Sequence, residues 1–482
     1  MSARRGTQMA AAAALLLPVA LAIVPRFDVA LAREVVAAPS IADTLRLSVD
    51  EAVARALSQG QEIHIANSQV DVADAQVRQA LSEALPQING SLTYGRQFAS
   101  IYQSLAGDTS GIASLFKNSP FGSPNSWNAE LTGSQLLWSG GRIAAGLSAA
   151  RAYRASNRAD RDETAANIRA RVQRAYLEAV YSREVLAISR MGLDQARAHL
   201  TEVAEYQKEG SRSEYDLIRA QVDAANEEPP VVTASNAVDL AMFNLKRLLN
   251  VPLEQPLELT TTLTFPDRMV PVVADENNEP TGRAALIRAD ADVEARKQLV
   301  RVQKAGYWPS LTLSGTLSQQ AFPQIERPTL DQFHRSLTAQ LRLDLPIFTG
   351  FKVSGAVAQA NAELRQAEYQ RDQERENVEI EVAQARLEAR RMLAELLARD
   401  VTAGLAQRAH YLADVRYKNG LSTQLEVSDA RLQMQTAQIN EAEATKNYRL
   451  ALLELERALG HPLPLVKRPL DELTAAQTEE ER

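Results

Sequence analysis

The amino-acid sequence predicts an α/β membrane protein made of two internal repeats. A long α-helical coiled-coil barrel is expected to run on into a transmembrane β-barrel, with four strands per protomer and the barrel shared between chains. Three observations carry this expectation. The chain is duplicated at a spacing of about 210 residues, each copy holds a proline-free stretch of nearly 70 residues, and four segments of about ten residues alternate in polarity.

The duplication is read from three pairs of sites. Gly140 lies in LLWSGGR and Gly350 in PIFTGFK; Gly210 lies in YQKEGSRSEYDLIRA and Gly420 in YKNGLSTQLEVSDA; Pro252 closes LKRLLNVP and Pro462 closes LERALGHP. Each pair is 210 residues apart, whereas LPQINGSLTYG at Pro86 and WPSLTLSGTLS at Pro309 are offset by 223, so the first copy carries 13 extra residues between its strands. A unit this long is not a short-repeat solenoid.

The expected organisation follows. Residues 1–32 form a signal peptide, because Arg4 and Arg5 precede the apolar run Met9 to Val24 and Ala30-Leu31-Ala32 supplies a small-residue cleavage pattern. Pro18 interrupts that run, which is also short for a transmembrane helix. Residues 47–252 form the first repeat: a helix, strands 88–98 and 127–138, a long helix 142–208, a tip at 209–213 and a returning helix to 250. Residues 283–462 form the second: helix 283–305, strands 310–320 and 334–347, long helix 351–417, tip 418–422 and a returning helix to 459. Residues 463–482 are expected to be a polar C-terminal tail.

The strands rest on period-two alternation. From His334 to Leu345, Leu337, Ala339, Leu341, Leu343 and Leu345 share one face, and Ser336, Thr338, Gln340, Arg342 and Asp344 the other. Leu311, Leu313 and Leu317 alternate with Thr312, Ser314, Thr316 and Ser318, and the first copy alternates likewise around Ile88, Leu92, Tyr94 and around Trp127, Ala129, Leu131. One face suits hydrocarbon and the other water. A half-buried sheet in a soluble domain alternates identically; the polar connections Ala99 to Ser126 and Gln319 to Gln332 favour loops outside a barrel.

The helices rest on period 3.5. Val353, Val357, Ala360, Leu364 and Ala367 recur in steps of four and three, and Val382, Ala385, Ala389, Met392 and Leu396 resume the series after a four-residue stutter. Small seam residues permit close approach, and a stutter locally unwinds the supercoil. The returning arms are shorter than the outgoing ones. A second segment must therefore stack end to end on each, from Ser48 to Leu85 and from Arg283 to Ala305, and Pro229-Pro230 must break or kink the first arm.

Composition narrows the function. There is no cysteine, only 5% aromatic residues and a net charge of −7, which excludes disulfide scaffolds, thiolate metal sites and an acylated cysteine anchor, and argues against a nucleic-acid partner. No HExxH, Walker loop, GxGxxG or GxSxG is present, so an enzyme and a cofactor are not expected. Four membrane strands cannot close a barrel, and lipid tolerates no open edge, so the chain must oligomerise into a conduit. A pore-less secreted coiled-coil scaffold is the alternative; it leaves the strand alternation unexplained.

The LPQI and WPSL strand starts, the SGG and TGF helix starts, the glycine tips and the ALGHP close resemble the TolC-like outer membrane efflux protein family, over Leu47 to Leu465. The resemblance implies a homotrimer in the cell outer membrane, in contact with its lipid, with a 12-stranded barrel and a periplasmic helical tunnel. It also implies docking to a periplasmic adaptor (membrane fusion) protein and an inner-membrane pump or ABC transporter, for efflux or type I secretion. The adaptor would meet Gly210, Ser211, Arg212, Ser213, Gly420, Leu421, Ser422 and Thr423, Ser211 standing where the family more often has leucine. Glu426 and Asp429 match acidic rings at the periplasmic entrance, and Tyr417 and Asp216 match two members of its latch. The third, an arginine, is Ser422 here, so Arg416 or Arg212 substitutes or the entrance is held more weakly.

Overall fold

The computed structural model describes residues 44–99, 123–265, 268–273, 280 and 282–474. The expected signal peptide, most of the connection after the first strand, and residues 475–482 lie outside the described residues. In chain order the elements are β1 (Leu45–Leu47), α1 (Val49–Gln59), α2 (Gln61–Ser82), β2 (Gln87–Arg96), β3 (Asn125–Trp138), α3 (Arg142–Lys208), α4 (Glu214–Asn226) and α5 (Glu228–Leu248). They continue with β4 (Leu257–Leu259), β5 (Met269–Val273), α6 (Ala284–Lys304), β6 (Ser310–Ala321), β7 (His334–Asp344), α7 (Lys352–Lys418), α8 (Gln424–Leu459) and β8 (Leu465–Pro469).

Strands β2, β3, β6 and β7 form one antiparallel sheet in that order, so the two repeats join through β3 and β6. The register aligns the alternation of all four strands. Gly90, Leu131, Leu317 and Leu337 form one cross-strand row, and Ser91, Glu130, Ser318 and Ser336 form the next. Since directly paired residues point the same way, the sheet has one mainly apolar face, interrupted toward the loop end by Gln319 and Arg335, and one hydroxyl-rich face. A bulge at Leu137 adjusts the end of β3: Leu136 pairs with Thr312, but Trp138 pairs with Leu311 and so turns to the apolar face. There it meets Trp308 edge to face at 6.3 Å, while the Tyr94 and Trp127 rings meet at 4.8 Å, tilted by 41°, near the other end of the sheet. Eleven residues at ~3.3 Å, tilted by ~40°, separate these aromatics by about 28 Å, close to the ~25 Å apolar band between the girdles of a membrane barrel. Ile88, Leu92, Leu337 and Leu341 on the apolar face are 60–71% exposed, a surface that only lipid covers at no cost.

Below the sheet, α3 and α7 each run 67 residues, about 100 Å at 1.5 Å per residue. Helix α3 packs against α1, α2, α4 and α5 on one side and against α6 and α8 on the other, and α7 packs on the far side of α6 and α8. Ala145, Ala149, Ala152, Ser156 and Ala159 of α3 are buried in alternating steps of four and three, which brings backbones close. In α7 the buried series passes from Ala367 to Val378 in an 11-residue step and continues through Val382, Ala385, Ala389 and Met392. That step is the stutter.

The short arms are completed end to end. The C-terminal end of α5 meets α1 and α2 over Ile168 and Val172 of α3, and Asn250 Nδ2 donates to the Gln59 carbonyl at 3.4 Å. Gly460, ending α8 at φ 79°, lies so near Arg283 at the start of α6 that an added Cβ would sit 3.0 Å from its Cα. The first returning arm divides at Glu227, where Pro229 and Pro230 occupy the first turn of α5 and need no N–H partner.

Two expectations need correction. The segment 48–85 is two helices, because Gly60 is extended at φ −68° and ψ 138°, with a Cβ position only 2.4 Å from the Ala56 carbonyl oxygen. The tail 463–482 is not merely polar. Leu465–Pro469 forms β8, paired antiparallel with β5, and Leu470 is buried in the core around Val378 to Leu459. Its apolar residues are few and lie beside Lys467 and Arg468, so composition hides them. A parallel pair, β1 with β4, ties the start of the first repeat to the segment after it. Both short sheets are anchored by buried tyrosines: the Tyr176 hydroxyl donates to the Leu47 carbonyl at 2.9 Å and accepts from Thr261 N at 3.0 Å, and the Tyr448 hydroxyl donates to the Pro271 carbonyl at 2.5 Å. Burial pushes the Tyr448 phenol well above its ordinary value, so it stays a donor.

Candidate functional site

The tips are built by the same local chemistry twice. Helix α3 ends with Gly210 at φ 78° and the Ser211 N–H bonded back to the Tyr206 carbonyl at 2.9 Å; α7 ends with Gly420 at φ 73° and the Leu421 N–H bonded to the Arg416 carbonyl at 2.8 Å. This six-to-one closure needs a residue at positive φ, hence glycine. Ser213 then caps α4 in a reciprocal box: its Oγ donates to Asp216 Oδ2 at 2.8 Å and accepts from Asp216 N at 3.2 Å. Thr423 caps α8, and the Ser422 hydroxyl donates to Glu426 Oε2 at 2.9 Å. Leu421 is 70% exposed at the end of the second tip. Arg212 of the first tip is half-buried.

Of the two residues expected in the latch, Tyr417 is buried between the tips and Asp216 is engaged in a helix cap. Tyr417 is 1% exposed and its hydroxyl has no partner among the described residues, so the Asp216 carboxylate stays within its own cap. Arg212 reaches across from the first tip instead, with its Cζ 4.5 Å from the Tyr417 ring centroid, and His199 of α3 packs on that ring at 5.2 Å. Arg416 turns back to the Leu421 carbonyl of its own tip at 3.2 Å. A cation over an aromatic face contributes about 0.5–2 kcal/mol, the upper end when desolvated. Burial holds the His199 imidazole below its ordinary pKa, outweighing Glu202, and raises the Tyr417 phenol; both are neutral at neutral pH.

Three polar contacts escaped the sequence reading. On α8, Gln424, Ser428 and Arg431 follow one another at four and three residues and face α4. The Gln424 amide donates to the Asp216 carbonyl at 3.1 Å. The Ser428 hydroxyl donates to Asp223 Oδ2 at 2.7 Å, and Arg431 Nη2 meets Glu227 Oε1 at 3.3 Å with both side chains 10% exposed. These join the inner ends of the two hairpins. The signal was present: Arg431 occupies a seam position between the buried Val427 and Met434. Glu426 and Asp429 both lie on the exposed side of α8.

An open-edged sheet with a hydrocarbon face, carried on two hairpins about 100 Å long, defines a membrane-spanning conduit. Residues 52–251 and 281–461 match the outer membrane efflux protein family. Pyoverdine export outer membrane protein OpmQ of Pseudomonas putida is 26% identical over 422 residues, covering 86% of this chain and 85% of its own. Among solved structures, the Campylobacter jejuni CmeC outer membrane channel has a TM-score of 0.69 at 17% identity over 90% of this chain and 89% of its own. The outer membrane protein VceC of Vibrio cholerae has a TM-score of 0.67 at 19% identity over 86% and 96%. The chain belongs to the outer membrane efflux protein family. It is an outer-membrane efflux channel, not an enzyme, which sets aside the pore-less scaffold.

Proposed function

We propose that three copies close one barrel and one tunnel, and that the tips dock a periplasmic adaptor leading to an inner-membrane pump that supplies the energy. One observation carries the closure. The free strands are β2 and β7, and the free helical columns are the one containing α2, which leads into β2, and α7, which follows β7. Each side of the chain therefore presents an unpaired strand above an unpaired column, and a second copy satisfies both together. Ile65 and Val72 on α2, and Ile380, Leu387 and Leu405 on α7, are 55–67% exposed along those columns. The expected result is a trimer that resists dissociation in detergent until heated, found in outer-membrane fractions. A soluble elongated monomer overturns it.

The exposed Leu421 and the short hydroxyl residues Ser211, Ser213, Ser422 and Thr423 suit close approach of an adaptor's own helical tips. The relatives named for pyoverdine export favour small-molecule efflux over type I protein secretion. Arg212 and Tyr417 hold the entrance closed, with Glu426 and Asp429 facing the opening. Arg212→Ala removes the contact between tips, worth about 0.5–2 kcal/mol in each of three copies. It should raise single-channel conductance or open probability in planar bilayers several-fold, while Arg416→Ala leaves them near wild type. Equal effects of the two would remove Arg212 from the latch.

A further inference from the structure

The structure assigns a charge filter within the membrane barrel to Glu130, a role distinct from the acidic residues at the tips; the assignment rests on the trimeric barrel proposed above. On the hydroxyl-rich face of the described strands, the charged side chains are Glu130, Arg342 and, at the end of β7, Asp344. Arg342 donates from Nε to Asp344 Oδ1 at 2.9 Å, so that pair cancels. Among the described residues Glu130 has no ion-pair partner: its carboxylate accepts from the Thr132 hydroxyl at 2.9 Å, and its cross-strand neighbours are Ser91 and Ser318. It sits within the sheet, three residues from Trp127, in a row of serines. Everything around it on that face is an uncharged hydroxyl or amide, including Asn89, Thr93, Thr132 and Thr316.

Three copies place three uncompensated carboxylates at one level. Twelve strands spaced ~4.8 Å apart and tilted ~40° give a backbone radius of about 12 Å, and side chains narrow the lumen to a radius of roughly 8 Å. That is comparable to the Debye length of ~10 Å at 0.1 M salt and well beyond the ~3 Å at 1 M. At low ionic strength the field of the ring therefore reaches the axis, drawing in cations and holding back small anions. At high ionic strength it does not. The hydroxyl lining elsewhere presents no second filter, so the barrel discriminates by charge at this one level and admits neutral polar solutes freely.

The absence of cysteine supplies the test. Glu130→Cys and Leu131→Cys each introduce a single thiol, and a membrane-impermeant methanethiosulfonate reagent applied to intact cells is expected to label the first and not the second. Reversal potentials in KCl gradients are then measured in an Arg212→Ala, Glu426→Ala, Asp429→Ala background, so that the entrance does not dominate. Glu130→Gln should lower the cation-to-anion permeability ratio about three-fold at ~0.1 M salt and leave it unchanged at ~1 M, and Glu130→Lys should invert the preference. An unchanged ratio in both variants, with Glu130→Cys labelled, overturns the filter while the barrel stands. Labelling of Leu131→Cys in place of Glu130→Cys overturns the barrel orientation itself.

Discussion

Leu337→Arg is expected to destabilise the folded channel by about 2–4 kcal/mol per protomer, because it places a guanidinium near the middle of the hydrocarbon layer. Leu337 is 71% exposed on β7 and shares its cross-strand row with Leu131 and Leu317, between the two aromatic clusters and nearer the one at Trp127. Thr338→Arg, one residue along, points to the aqueous face beside Thr316 and Thr132 and is expected to cost little. Purified chains refolded into lipid vesicles and titrated with denaturant measure both. The adjacent pair is diagnostic, because the two variants share charge, volume and strand propensity and differ only in face. Equal destabilisation would show a sheet with protein on both sides.

Arg283→Ala should be the most damaging change outside the membrane. Arg283 is 5% exposed at the junction where α8 ends and α6 begins, and its guanidinium reaches Glu163 of α3 at 3.2 Å and Glu381 of α7 at 3.1 Å. One cation thus ties both long helices to the spliced column between them. Removing it leaves Glu163, 17% exposed, without its cation, while Glu381 keeps its pair with Arg457, a loss of about 3–5 kcal/mol. Replacing these three charges in an Arg283→Met, Glu163→Gln, Glu381→Gln protein, in which Arg457 keeps Glu454 as its partner, should recover most of that, since desolvation offsets much of the attraction in the intact cluster. The midpoint of heat dissociation of the oligomer, with hydrogen exchange at the first turn of α6, reads the effect. A triple variant as unstable as Arg283→Ala would mean that the lost packing of the arginine stem, not charge, is responsible.

Much of the fold is visible in local pattern. Alternation placed the strands, because a sheet with lipid on one side and water on the other must alternate. The two-copy spacing located both tips, because a helical hairpin closes on a residue at positive φ. The seam and its stutter in α7 are equally local. What was missed depends on partners far away in the chain. Strand β8 has five residues of mixed character and exists because β5 lies beside it, about 190 residues earlier. The Gly60 break is a conformation that only a residue without a Cβ fits, since one there would lie 2.4 Å from the Ala56 carbonyl oxygen. At the tips, the sequence offers Arg212 and Arg416 as alternative cations, and Asp216 as an anion, near Tyr417, and only the packed arrangement commits Asp216 to a helix cap, Arg416 to a carbonyl and Arg212 to the ring.

The sequence by itself determined that this is a duplicated, long-helix chain with four amphipathic strands, since periodicity records which face of each element is to be buried. The tertiary structure alone decided what each face is buried against. It joined the repeats through β3 and β6, and it turned Trp138 outward by a single bulge. It left one strand edge and one helical column open on each side, and placed Glu130 on the hydroxyl-rich face with no ion-pair partner among the described residues. Those outcomes depend on register and on contacts between residues some 200 positions apart, which no local pattern encodes.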